Sequence, residues 1–169
     1  MERRLVCFSH GKESGPQGTK ICAMAEVAER MGFATDSIDY RGMSDPSERV
    51  QRLIGYCDGL TGQPVLVGSS MGGHVAAAAT TRVSVAGLFL IAPAFYMPGY
   101  EALTPHPDSP RIAVVHGWDD EVVPAENSIR WAREHGADLH LIPGDHRLGN
   151  ELDVVLRLFA DFLSGLRPT

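Results

Sequence analysis

Apolar residues along the chain fall into two alternating patterns. One is a short unbroken run; the other is a longer stretch with an apolar residue every three or four positions. Leu5-Val6-Cys7-Phe8 is the first run, and it ends at His10-Gly11. From about residue 18 to 31, Ile21, Met24, Ala25 and Ala28 share one helical face, and Gly32 stops the pattern as a C-terminal glycine does. Residues 33–39 predict a second strand. Asp45-Pro46 opens the next helix with a capping acid and a proline in the first turn. Its inward face is Val50, Leu53, Ile54 and Cys57. Further strands are predicted at 65–67, 85–91, 112–115 and 139–142, and further helices at 72–81, 125–135 and 151–163. The last helix carries Val154, Val155, Leu158, Phe159 and Phe162 on its apolar side.

Near-continuous apolar strands separated by helices imply an α/β chain with a mainly parallel sheet covered on both faces. No repeat or linker interrupts the alternation, so residues 1–169 are read as one domain. The one irregular stretch is 93–110, with prolines at 93, 98, 105, 107 and 110. A loop that long inside a compact domain is usually functional.

Composition narrows the function. The 169 residues are 44% apolar and 21% charged, the balance of a soluble globular protein. Fifteen Lys+Arg against 21 Asp+Glu give a net charge of −6, which argues against general affinity for nucleic acid or anionic membrane. Cys7, Cys22 and Cys57 are odd in number and lack metal spacing, so reduced thiols in the cytoplasm are expected. No apolar stretch approaches the ~18 residues of a membrane span, and the N-terminal run is too short for a signal-peptide core. Gly18-Thr19-Lys20 has the wrong order for a phosphate loop, and no dinucleotide glycine motif follows the first strand. The histidines lack ligand spacing with acids or cysteines. Neither metal nor cofactor is expected.

Candidate chemistry lies just past the strands. Gly68-Ser69-Ser70-Met71-Gly72 fits Gly-x-Ser-x-Gly between a strand and a helix, the context of a nucleophile elbow. So sharp a turn brings strand and helix so close that side chains two before and two after the tip would collide, and Gly68 and Gly72 remove them. Ser70 has glycines on both sides at that spacing; Ser69 does not. The following helix aims free N–H groups and its positive end at Ser70. The segment His116-Gly117-Trp118-Asp119-Asp120 offers two carboxylates, either of which could instead be a helix-entry acid. His146, in Gly144-Asp145-His146, follows the last strand. In a parallel sheet all such loops open on one edge, so serine, acid and histidine converge as a triad with His146 as base. His74, on the helix after the elbow, reads as a packed or rim histidine. An oxyanion would be held by the Met71 amide and by one from the Ser9-His10-Gly11-Lys12 loop, with Lys12 as the donor.

These segments together resemble a small, cap-poor member of the α/β-hydrolase superfamily, nearest the bacterial esterases and thioesterases. The resemblance rests on His10-Gly11, Asp39-x-Arg41-Gly42-x-Ser44, Gly68-x-Ser70-x-Gly72-Gly73, His116-Gly117-x-x-Asp120-x-x-Val123-Pro124 and Gly144-x-His146, in that order. It implies a three-layer sandwich with six strands in the order 2-1-3-4-5-6 and no cap domain. It also implies Ser70 as nucleophile, Asp120 rather than Asp119 as the triad acid, and His146 as base. The expected activity is hydrolysis of a small-molecule ester or thioester. A pocket wall of Phe95, Tyr96, Met97, Tyr100 and Trp118 is expected, and short or medium acyl groups, since only 93–110 could cover the cleft. Alternatives are a non-catalytic interaction protein on this scaffold, or a peptidase or perhydrolase with the same triad.

Overall fold

The computed structural model describes residues 2–166. Six parallel strands form one sheet: β1 (Leu5–Ser9), β2 (Ala34–Ile38), β3 (Val65–Ser69), β4 (Gly87–Ile91), β5 (Ile112–Gly117) and β6 (Asp138–Ile142). Their order is β2-β1-β3-β4-β5-β6, as the resemblance implies. Four helices lie between strands, α1 (Thr19–Arg30), α2 (Pro46–Asp58), α3 (Met71–Ala79) and α4 (Ala125–His135), and α5 (Leu152–Ser164) follows β6.

Period-two alternation along the strands builds two cores. Val6, Phe8, Val65, Val67 and Phe89 point to one face, where they meet Met24 and Ala28 of α1 and Phe159 of α5. Cys7, Leu66, Leu88, Leu90 and Val114 point to the other, against Leu53 of α2, Val75 of α3 and Trp131 of α4. The result is a three-layer sandwich without a cap domain. Among the described residues no helix is long and apolar enough to cross a membrane.

Differences from the sequence reading have local causes. β5 continues through His116 and Gly117, which pair with Leu141 and Ile142. A polar residue ended the apolar run, but His116 is satisfied inside the sheet. Val85 and Ala86 pack as core yet precede β4, and the Ala86 N–H donates to the Pro64 carbonyl. Residues 149–151 form a 3-10 turn, so α5 begins at Leu152. The inward face of α5 is Val155, Phe159, Phe162 and Leu163, with Val154 and Leu158 only partly buried. A second 3-10 turn, 101–103, breaks the proline-rich stretch.

The register brings the chemistry to one edge. Ser9 lies beside Gly68, Ser69 beside Ile91, and Gly117 beside Ile142. All these strands therefore release their loops together at their C-terminal ends, where open α/β sheets bind ligands.

Candidate active site

Ser70 stands between β3 and α3 with φ 55 and ψ −118, a left-handed conformation that non-glycine residues rarely adopt. The surroundings hold it there. Its N–H donates to the Ile91 carbonyl at 2.9 Å, and its carbonyl accepts from Gly73 at 3.0 Å and Ala94 at 2.9 Å. A Cβ on Gly68 would overlap the Gly72 carbonyl, and one on Gly72 would overlap the Ser9 carbonyl. Both glycines are thus required by the close approach of β1, β3 and α3.

The Ser70 hydroxyl donates to His146 Nε2 at 3.0 Å. His146 Nδ1 donates in turn to Asp120 Oδ2 at 2.7 Å. The Asp120 side chain is fully buried and that of His146 is 19% exposed, so the relay runs from the interior to an accessible imidazole. Asp120 Oδ1 accepts the N–H groups of Val122 at 2.9 Å and Val123 at 2.8 Å. Asp119, one residue earlier, is exposed. The acid and base loops are joined directly, because the Asp119 N–H donates to the Gly144 carbonyl. A Cβ at Gly117 would overlap that same carbonyl.

A second histidine meets the same carboxylate. His116 Nε2 lies 3.0 Å from Asp120 Oδ2 and donates its proton to the Val123 carbonyl at 2.8 Å, while the Ser128 hydroxyl donates to Nδ1 at 2.6 Å. Ser128–His116–Asp120 is also a serine–histidine–aspartate chain. However, Ser128 and His116 are fully buried, and neither lines the cavity. Pattern reading did not separate this histidine from its motif; its place at the end of an interior strand was the available signal.

Ser70 and His146 open into a cavity of about 950 Å³. Phe8, Met24, Ile91 and Leu148 bring its wall down to the α1–α5 core. Met71, the first residue of α3, follows Ser70 in the chain, and Lys12 also lines the cavity. Met97 and Tyr100 reach the cavity, but the other three residues expected on its wall do not. Phe95 is fully buried, stacked on Trp131 with centroids 4.4 Å apart. Tyr96 turns to α4, where its hydroxyl donates to Glu134 at 2.8 Å and Arg130 covers its ring. Trp118 is 54% exposed and lies outside the cavity. Consecutive aromatic residues in a loop have no fixed period, so their directions were set by tertiary contacts.

Other polar residues support the site. His10 is buried, and burial holds its pKa below the ordinary histidine value against the Gly11 carbonyl, which raises it. The Tyr40 N–H donates to His10 Nε2 at 2.8 Å, so Nδ1 carries the proton and donates to the Gly11 carbonyl at 2.7 Å. His74 lines the cavity rim, and its pKa is also lowered by burial. Lys20, at the start of α1, donates to the Arg147 carbonyl at 2.9 Å and so ties α1 to the histidine loop.

Comparison with known proteins agrees with this fold. A family model described as the alpha/beta hydrolase family matches residues 21–167. No curated protein gives a significant match. A protein from Xanthomonas campestris pv. campestris, assigned to the alpha/beta superfamily of hydrolases, is 35% identical. It matches over 96% of this chain and 99% of its own, with a TM-score of 0.87. Est1E from Butyrivibrio proteoclasticus is 20% identical over 98% of this chain and 88% of its own, with a TM-score of 0.84. Mouse alpha/beta hydrolase domain-containing protein 10 is 23% identical over 96% and 90%, with a TM-score of 0.79. The last two likenesses are of fold.

Proposed function

This chain belongs to the alpha/beta-hydrolase family and works through a serine nucleophile; we propose that the nucleophile is Ser70 and that the substrates are small carboxylic esters or thioesters. The observation that carries this reading is the hydrogen-bonded chain Ser70–His146–Asp120, open to the cavity at its serine end. Ser128 offers the same residue types but no route to a substrate.

In the forward step Ser70 Oγ attacks the acyl carbon while His146 Nε2 takes its proton. Asp120, fixed by two backbone N–H groups, holds Nδ1–H in place and stabilises the imidazolium. The Met71 and Lys12 amides hold the oxyanion. His146 then protonates the departing alcohol or thiol, and the acyl group stays on Ser70. Water, activated by the same imidazole, releases the acid. Met97 and Tyr100 contact the acyl portion at the cavity mouth. Three free cysteines, two of them buried, fit a reducing cytoplasmic setting.

Purified protein and its Ser70→Ala variant, assayed on p-nitrophenyl esters and acyl thioesters, test this reading. The variant should lose on the order of 10⁶ in kcat and keep its fold. Turnover that survives the substitution overturns it.

A further inference from the structure

Arg49 is the most deeply buried cation among the described residues, at 2% exposure on α2. No described carboxylate pairs with it. A guanidinium taken out of water without a counter-ion is expensive unless its donors are satisfied. Its donors go to backbone carbonyls instead. Nε donates to Met43 at 2.8 Å, while Nη1 reaches His10 at 3.0 Å and Gly11 at 3.4 Å. The Tyr40 ring lies 5.2 Å beneath the guanidinium.

The last two carbonyls are consecutive, and that fixes what lies opposite them. The described peptide bonds are all trans. In a trans peptide the N–H points opposite to the C=O of the same unit. A His10 carbonyl drawn toward Arg49 therefore turns the Gly11 N–H away from it, and the Gly11 carbonyl does the same for Lys12. Gly11 and Lys12 line the cavity, whereas Arg49 does not. A Cβ built on Gly11 would sit 3.5 Å from Ser70 Cβ, which puts this turn against the serine. Neither N–H is donated to another group among the described residues. Two successive free amides facing one way form a concave anion site.

We propose that Arg49 is a positioning residue. From behind the loop it grips the His10 and Gly11 carbonyls, and so aims the Gly11 and Lys12 amides at the oxyanion formed when Ser70 attacks. This rests on the reading of Ser70 as nucleophile. It adds Gly11 as a second donor in the loop and puts a buried positive charge one peptide layer behind the anion. Arg49 touches neither substrate nor Ser70, and acts only through the loop.

The test is kinetic. Arg49→Met, with active sites counted by fluorophosphonate labelling, should lose about 10- to 100-fold in kcat per active site, because misdirected donors fail in the transition state. KM should stay within about threefold. An alkylboronic acid, whose Ser70 adduct carries the negative charge, should weaken by the same factor as kcat. General loosening of the fold would lower the count of active sites instead. Arg49→Lys keeps the charge but cannot span the three carbonyls, and should fall between wild type and Met; it carries the test if the Met variant does not fold. An unchanged kcat per active site in the folded variants, or a kcat loss without a matching loss of boronate affinity, overturns the proposal. Failure of the Ser70 reading is separate: Ser70→Ala with Arg49 intact would then keep turnover.

Discussion

Asp120→Asn is the substitution whose consequence the structure specifies most closely. The carboxylate accepts three hydrogen bonds, Oδ1 from Val122 and Val123 and Oδ2 from His146, and His116 Nε2 lies 3.0 Å from Oδ2. An asparagine must put its NH2 on one of these sides. Facing the Val122 and Val123 amides, it would leave donors against donors in a buried site, at about 1–3 kcal/mol for each unsatisfied group. The favoured orientation keeps the amide oxygen there and turns NH2 toward the histidines. His116 keeps its proton on Nε2, where the Val123 carbonyl accepts it at 2.8 Å, so the hydrogen bond that changes is the one to His146. His146 must then accept at Nδ1 and carry its proton on Nε2, the atom that should receive the Ser70 proton. The base is blocked while the fold is retained. The loss should be on the order of 10⁴ in kcat, as for the same change in a well-studied serine triad. Four decades correspond to about 5.4 kcal/mol of transition-state stabilisation. The assay is p-nitrophenyl butyrate hydrolysis at pH 7–8 with a thermal melt on the same sample. Asp119→Asn, at an exposed side chain, serves as the control and should lose less than threefold. A loss below tenfold for Asp120→Asn, or a larger loss for Asp119→Asn, would refute the tautomer argument.

Gly72→Ala should destabilise by about 3 kcal/mol, because the added Cβ meets the rigid Ser9 backbone rather than a side chain that can yield. Thermal denaturation should fall by roughly 6–12 °C, and an unchanged midpoint would contradict the packing argument. Acidification should destabilise the fold between pH 7 and 5. Burial lowers the pKa of His10, His74 and His135 in the folded state, so the unfolded chain takes up protons first as pH falls below about 6.5. Their stabilisation is complete above that pH and is lost on the acid side. His10→Gln should flatten the dependence by up to about 1.4 kcal/mol per pH unit, read from denaturant melts. On acyl length, kcat/KM should climb by up to about 0.8 kcal/mol per buried CH2 through medium chains and then level off. A cavity of about 950 Å³ holds a drug-sized ligand, and a rise continuing through palmitoyl would show a longer tunnel.

The sheet was legible because each interior strand is covered on both faces, so Leu5–Phe8 and Val65–Val67 are apolar throughout, the first flanked by Arg4 and Ser9 and the second by Pro64 and Gly68. The elbow was legible for a steric reason, since only glycine fits two residues either side of Ser70. The choice between Asp119 and Asp120 was not open to pattern reading, because both residue types suit a helix entrance. The turn places Asp120 inward, where Val122 and Val123 bind it. Arg49 escaped notice for the opposite reason. An arginine on a helix usually marks the solvated face, although its spacing to Leu53 and Cys57 puts it on the buried stripe of α2. The direction of Phe95 depended on Trp131, 36 positions later in the chain, which no local pattern conveys.

The central claim is that Ser70 is the nucleophile, and covalent labelling tests it most directly. A fluorophosphonate should add once to the native protein, and fragmentation of the peptide spanning 53–82 should place the adduct on Ser70. The reaction should be abolished in Ser70→Ala and unaffected in Ser128→Ala. An adduct on Ser69 or Ser128, or undiminished labelling of Ser70→Ala, would contradict the account.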